Sequence, residues 1–441
     1  MLWYSVDILY SNPYAFQALF NVSSTIFKIP AKKEGFCKDL WYNIPVKIKK
    51  SFKYRVYPTK EQQVLLAKHF GAKRFVWNYF LDQRKKEYLE TKKSSNYYDN
   101  ARSLTAMKKK EEFLWLKEIN SQSVQATLRD LEVAYFRFFA KQGKFPRFKS
   151  KYDKQSFRVP QYTEYSDGQL WLPKFKKPIK VQEDRPIAGE ILFSTISRTS
   201  TGKYYVSITC EMEQEPFEKN NKCVGIDLGI KDLAICSDGK TYANAKTTNK
   251  YAKKLAYLQR QLSKKSKTSN NRRKQKVKVA RIHEKISNVR NDYLHKTTTN
   301  IVRENQTICV EDLSVVRMMK NHMLARSIAD CSWGELLRQL KYKTEWNDRS
   351  FVVIDKFFPS SKTCNKCKFV NQGLTLDDRE WNCPSCGAKL NRDLNASENI
   401  LEQGLLILKN SDCGTQAESK QKHGEALPVA ASLRAMKPHH L

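Results

Sequence analysis

The chain has 441 residues, enough for two to four domains with substantial cores, and sets 80 Lys plus Arg against 45 Asp plus Glu for a formal charge of +35. A hydrophobic fraction of 40% excludes a disordered basic tail protein, which would be poor in core formers. Self-repulsion on this scale calls for a polyanion, so the expected partner is nucleic acid and no membrane is involved: no apolar run reaches the ~20 residues of a bilayer span.

In chain order, residues 1–46 stand apart as an aromatic-rich, weakly basic extension without an assigned role. They read either as an extra packed segment or as upstream sequence translated from a misassigned start. Met1-Leu2-Trp3-Tyr4 with Asp7 close behind is a poor signal peptide. Phe52 to Tyr57 alternates like a strand and stops at Pro58. Thr59 and Gln62 have the spacing of a capping box, which predicts a helix carried by apolar positions to about Tyr88. Helical periodicity returns over 103–110 and 123–139, so 59–144 is expected to be a helical lobe. From Phe145-Pro146-Arg147-Phe148 to about residue 216 short strands and turn signals dominate. A helical block lying between a first strand (47–58) and later strands (145–216) predicts a β-barrel interrupted by that lobe. Residues 250–296 are helical in pattern and densely basic, and Arg272, Arg273 and Lys274 are picked as phosphate contacts. The segment 406–441 is polar and is expected to be a disordered tail.

The 11 cysteines fall into two kinds. Seven are scattered among mostly apolar neighbours and read as reduced, buried thiols, which suits a reducing cytosol. Cys364, Cys367, Cys383 and Cys386 have the spacing C-x2-C-x15-C-x2-C of a two-knuckle zinc ribbon over 358–390. Four thiolates leave no open coordination position, so the Zn²⁺ is expected to be structural.

Three acids complete the pattern. Asp227 sits in the apolar run Val224-Gly225-Ile226-Asp227-Leu228-Gly229, and Glu311 ends Thr307-Ile308-Cys309-Val310, with Asp312 beside it as a competing choice. Asp393 opens the helix-like Asn391-Arg392-Asp393-Leu394-Asn395-Ala396-Ser397 directly after the ribbon. Converging buried carboxylates repel unless a hard divalent cation sits among them, and Mg²⁺ is the natural candidate. Two such ions about 4 Å apart suit phosphodiester hydrolysis.

These motifs, in this order and with the ribbon between the second and third, resemble the TnpB family, transposon-encoded RNA-guided nucleases of bacteria and archaea related to type V CRISPR effectors. Tyr54-Arg55-Val56-Tyr57-Pro58, Trp333-Gly334-Glu335-Leu336 and Phe358-Pro359-Ser360-Ser361-Lys362-Thr363-Cys364 extend the resemblance across roughly 47–405. It implies an α/β multidomain protein. An RNase H-like RuvC core would span 217–357 plus 391–405, preceded by a wedge barrel and a helical recognition lobe. The metal-binding and catalytic acids would be Asp227, Glu311 and Asp393, with two Mg²⁺ per site. The partners would be a guide RNA from the transposon end and double-stranded target DNA cut beside a short adjacent motif, with one protein per RNA, in a prokaryotic cytoplasm. Tyr97, Ser121, Gln122 and Gln125 are candidates for reading that motif, since a Gln amide can pair with adenine. The competing readings are a nuclease-inactive RNA-guided regulator, which the retention of all three acids disfavours, and a DNA transposase.

Overall fold

A computed structural model describes residues 45–375 and 377–413, with side chains to Asn410. The extension 1–44 and the tail beyond Cys413 lie outside the described residues.

Strand β1 (Val46–Tyr57) buries Ile48, Phe52, Tyr54 and Val56 and turns Lys47, Lys49 and Lys53 to solvent, the two-residue period of a half-buried strand. Pro58 ends it. The capping box then forms as read: Thr59 Oγ1 accepts the Gln62 N–H at 3.3 Å and Gln62 Oε1 accepts the Thr59 N–H at 2.9 Å. Helix α1 (Lys60–Thr91) starts there, followed by α2 (Tyr97–Met107), a 3-10 segment over Glu111–Glu118 and α3 (Ser121–Phe139). Val76, Phe80, Leu104, Leu116, Leu128 and Leu131 form their common core.

Six strands follow: β2 (Gln155–Val159), β3 (Glu164–Ser166), β4 (Gln169–Trp171), β5 (Ile179–Gln182), β6 (Glu190–Arg198) and β7 (Tyr204–Gln214). With β1 they make a seven-stranded antiparallel sheet in the order β2-β6-β7-β1-β5-β4-β3. The first strand among the described residues is thus central, paired with β7 from Val46↔Gln214 to Val56↔Tyr204. Leu66 and Phe70 of α1 pack into its core beside Tyr54, Phe157, Ile196 and Val206.

The second sheet contains β8 (Cys223–Asp227), β9 (Asp232–Cys236), β10 (Thr241–Ala243), β11 (Thr307–Glu311) and β12 (Ser350–Ile354) in the order β10-β9-β8-β11-β12. The first three strands form an antiparallel meander, and β8, β11 and β12 run parallel. Parallel neighbours need crossovers. Helices α4 (Thr247–Ser263) and α5 (Asn270–Glu304) supply one; α6 (Val315–Met318), α7 (Ala325–Cys331) and α8 (Trp333–Trp346) supply the other. One mixed sheet thus joins a three-stranded antiparallel meander to two further strands parallel to β8. The ribbon hairpin β13 (Glu380–Asn382) and β14 (Lys389–Asn391) runs directly into α9 (Arg392–Cys413), which lies across the sheet.

Two boundaries differ from the sequence reading. The basic stretch 250–296 is two helices, because residues 264–269 offer no apolar position and Ser269 caps α5 by accepting the Arg272 N–H at 3.1 Å. Helix α9 continues through 406–413, expected to be tail, because Leu408 still packs on the core formed by Cys309, Val352, Ile354 and Ile400.

Candidate active site

The acids are brought to one edge of the second sheet. Asp227 ends β8 and Glu311 ends β11, and these strands are parallel neighbours in register Val310↔Ile226, so both carboxylates leave at the same C-terminal edge. Asp393, in the first turn of α9, arrives from a third element. The approach depends on Gly225: a Cβ there would overlap the Ser397 carbonyl oxygen, so only glycine lets α9 lie this close to β8.

Burial raises the Asp227 carboxyl from 3.8 to about 7, helped by the negative charges of Glu311 and Asp393 and opposed by Arg392 and the Leu228 N–H. Burial also raises Glu311, against a hydrogen bond donated by the Ser360 hydroxyl. Asp312 is exposed and its N–H is spent on the Ile354 carbonyl, so Glu311 is the acid whose charge Asp227 feels. Asp393 accepts a hydrogen bond from Arg379 of the ribbon at 3.1 Å.

Buried amides join these groups. Asn399 Nδ2 donates to the Ser360 carbonyl at 2.9 Å and the Thr363 carbonyl at 2.6 Å; Asn395 Nδ2 donates to Thr363 at 2.7 Å while its Oδ1 accepts the Asn365 N–H at 2.9 Å. Ser360 therefore touches Glu311 through its hydroxyl and α9 through its carbonyl. Asn395 and Ser360 lie within the motifs quoted from the sequence, but nothing in their spacing marks these tasks. Their partners lie far away in the chain, and only the motif order pointed to them.

Cys364, Cys367, Cys383 and Cys386 bring their sulfurs within 4.8 Å of one another, the sole group of metal-ligating atoms this tight among the described residues. The three carboxylates converge without reaching that spacing. Each knuckle is closed by the same two backbone bonds: Phe369 O accepts the Cys364 N–H and Cys364 O the Lys368 N–H, as Ala388 O accepts the Cys383 N–H and Cys383 O the Gly387 N–H, all at 2.9 Å. The residue after each knuckle is left-handed, Lys368 at φ 63° and Gly387 at φ 72°. A backbone N–H from Phe369 helps bring the Cys367 thiol down to about 6, toward the thiolate a metal needs. Four thiols in paired tight turns fit Zn²⁺.

The candidates for nucleic-acid contact behave differently from one another. Ser121 and Gln125 are exposed one turn apart on α3, and Arg129 continues that face. Arg129 Nε donates to the Tyr97 hydroxyl at 3.3 Å and its guanidinium lies 5.3 Å from the Tyr97 ring, so Tyr97 joins this face through a residue the sequence reading passed over. Four-residue spacing was the available signal. Gln122 instead donates to Gln161 at 2.6 Å. Arg273 and Lys274 are exposed, whereas Arg272 donates to the Leu262 and Lys265 carbonyls at 2.6 and 2.9 Å and closes the end of α4.

Residues 207–322 match the OrfB_IS605 family, described as "Probable transposase", and residues 333–400 match "Cas12f1-like, TNB domain". Residues 48–93 match a "Helix-turn-helix domain", although here they are strand β1 and the single long helix α1. Two curated relatives carry the name "Putative RNA-guided DNA endonuclease". One, from Streptomyces pristinaespiralis, is 42% identical over 83% of this chain and 91% of its own; the other, InsQ of Escherichia coli K12, is 35% identical over 86% and 99%. "TnpB-like protein L770" of Acanthamoeba polyphaga mimivirus is 24% identical over 82% of this chain and 75% of its own. Identity of 42% across nearly the whole of a relative makes this chain a member of the TnpB family.

Proposed function

We propose that the chain is an RNA-guided DNA endonuclease. It would hold a guide RNA made from the transposon end, open double-stranded DNA beside a short adjacent motif and hydrolyse phosphodiesters at Asp227, Glu311 and Asp393. The observation that carries this reading is the meeting of three acids from separate elements at one sheet edge, two of them raised by burial, in a chain of strong positive charge. When bound, two Mg²⁺ ions would neutralise the acids, activate water and steady the leaving oxygen. Asp227 and Glu311 would hold them from the strands and Asp393 from α9. Ser360 orients Glu311, and Arg379 orients Asp393. Sequence would be read by guide pairing, while the lysines and arginines hold the backbone of the heteroduplex. The ribbon would carry Zn²⁺ as a structural ion.

The test is to express the protein with its downstream transposon end and sequence the RNA that copurifies. The complex is then reprogrammed to plasmids with randomised flanks in Mg²⁺. Linearisation of plasmids sharing one flank, lost in Asp227→Ala, is the expected result. Flank-specific binding without cutting would make the protein a guided regulator, and absence of bound RNA would overturn the reading.

A further inference from the structure

Resting on that nuclease reading, we propose that Lys356 and Phe357 form a platform on which a base of the DNA strand stacks as the strand enters the carboxylate site. Strand β12 ends at Ile354, the register partner of Glu311, and the Ile354 carbonyl also accepts the Asp312 N–H at 3.3 Å. The chain therefore leaves the sheet at the edge where the acids gather. Its course there is fixed twice: Asp355 Oδ1 accepts the Phe357 N–H at 2.7 Å and the Asp355 carbonyl accepts the Phe358 N–H at 3.2 Å. Phe358 turns inward against the core of Ile354 and Ile400, while Phe357 turns outward and is 76% exposed. Three residues on, buried Ser360 donates to Glu311. Phe357 is thus tethered on one side to the register partner of Glu311 and on the other to its hydrogen-bond donor, each within roughly 10 Å of chain.

Single exposed apolar side chains are ordinary on protein surfaces. Phe357 differs in being held by a doubly bonded turn and in having the Lys356 ammonium 4.8 Å from its ring centroid. A cation beside a bare aromatic face offers the two contacts an unpaired strand needs, one for phosphate and one for a base. The acid in this turn, Asp355, spends one carboxylate oxygen on the Phe357 N–H. The contacts are indifferent to base identity, as an enzyme directed by guide pairing requires. Phe357 is a positioning residue, acting on where the strand lies.

The experiment uses the full chain with its guide RNA and Mg²⁺, at saturating target, with cutting rates measured for wild type, Phe357→Ala, Phe357→Leu and Phe357→Tyr. Loss of one base–aromatic stack predicts a fall of roughly ten- to a hundredfold for Ala and Leu, with Tyr close to wild type. Targets carrying single abasic nucleotides across the cut region supply a readout that misfolding would not produce. Wild type should lose a similar factor at one or two positions, where the Leu variant should lose nothing more. Leu cutting at the wild-type rate, or abasic penalties equal in both proteins, would overturn the platform. A wild-type complex that never cuts would overturn the nuclease reading along with it, and the two failures are told apart by which protein shows them.

Discussion

Asp227 ties stability to pH. Its carboxyl titrates near 7 in the folded chain against an ordinary 3.8, so the folded state holds this proton more tightly than the unfolded one. The resulting stability is complete below about pH 4 and is lost as pH rises through 7, at most about 4 kcal/mol before sharing with its neighbouring acids. Metal-free protein in chelator should therefore melt higher as Asp227→Asn than as wild type at pH 8, with the gap closing toward pH 5. A gap that does not change with pH would contradict a buried, proton-competing carboxylate. Mg²⁺ should raise the wild-type melting temperature more at pH 8 than at pH 5, because it replaces that proton. A second residue-scale test lies in the ribbon. Lys368 and Gly387 share the left-handed conformation, which costs a side chain about 1–2 kcal/mol. Lys368→Gly should tighten zinc retention in a chelator competition, since its exposed pairing with Glu402 contributes little. Gly387→Ala should weaken it.

Among elements, α9 decides whether the acids meet. Its first turn brings Asp393, its buried amides hold the 360–365 segment, and its body lies against β8 at Gly225. Gly404 repeats the device from the helix side, where a Cβ would overlap the Cys309 sulfur. Gly225→Ala should cost about 1–3 kcal/mol by overpacking and depress cutting beyond what the melting temperature alone implies. Asn399→Ala leaves the buried Ser360 carbonyl without its donor and Thr363 with that of Asn395 alone, and should lose about 1–3 kcal/mol. Thermal melts alongside cutting rates check both, and unchanged cutting in either would mean that α9 placement is irrelevant to the site. Asp227, Glu311 and the ribbon were legible in sequence because each is a local signature, an acid in an apolar strand or paired Cys-x-x-Cys turns, whereas Asp393 was marked by its place at a helix start directly after the ribbon. The capping box at Thr59 was legible as well. The Arg379–Asp393 pair, the Ser360–Glu311 bond and the amide stitching were not, because they join segments brought together only by folding. Arg272 shows the converse. Its place in a basic run suggested phosphate contact, yet it serves the end of α4, since charge density says nothing about which cation has a nearby carbonyl to satisfy.

The charge of the whole molecule should appear in its salt dependence. Affinity for nucleic acid falls with log salt by about 0.9 per phosphate contact on duplex and about 0.7 on single strands. Replacing exposed Arg273 and Lys274 together by Ala should lower that slope by about 1–2 with little effect on melting. Arg272→Ala should instead lower the melting temperature by removing its tie to the Leu262 and Lys265 carbonyls. Identical slopes for the double variant and wild type would place those two cations away from phosphate.

The arrangement of the acids has a consequence for synthesis. Asp227 and Glu311 belong to strands made well before α9, yet the site lacks its third acid until Asp393 has left the ribosome. At about 5–20 residues per second, roughly 10–30 s pass between the first acid and the last. Throughout that interval the nascent chain already displays much of its cationic surface and would gather nucleic acid, while the proposed constellation for cutting would be unfinished. A truncated product ending before α9 would inherit the same state: adhesive to nucleic acid and unable to cut it.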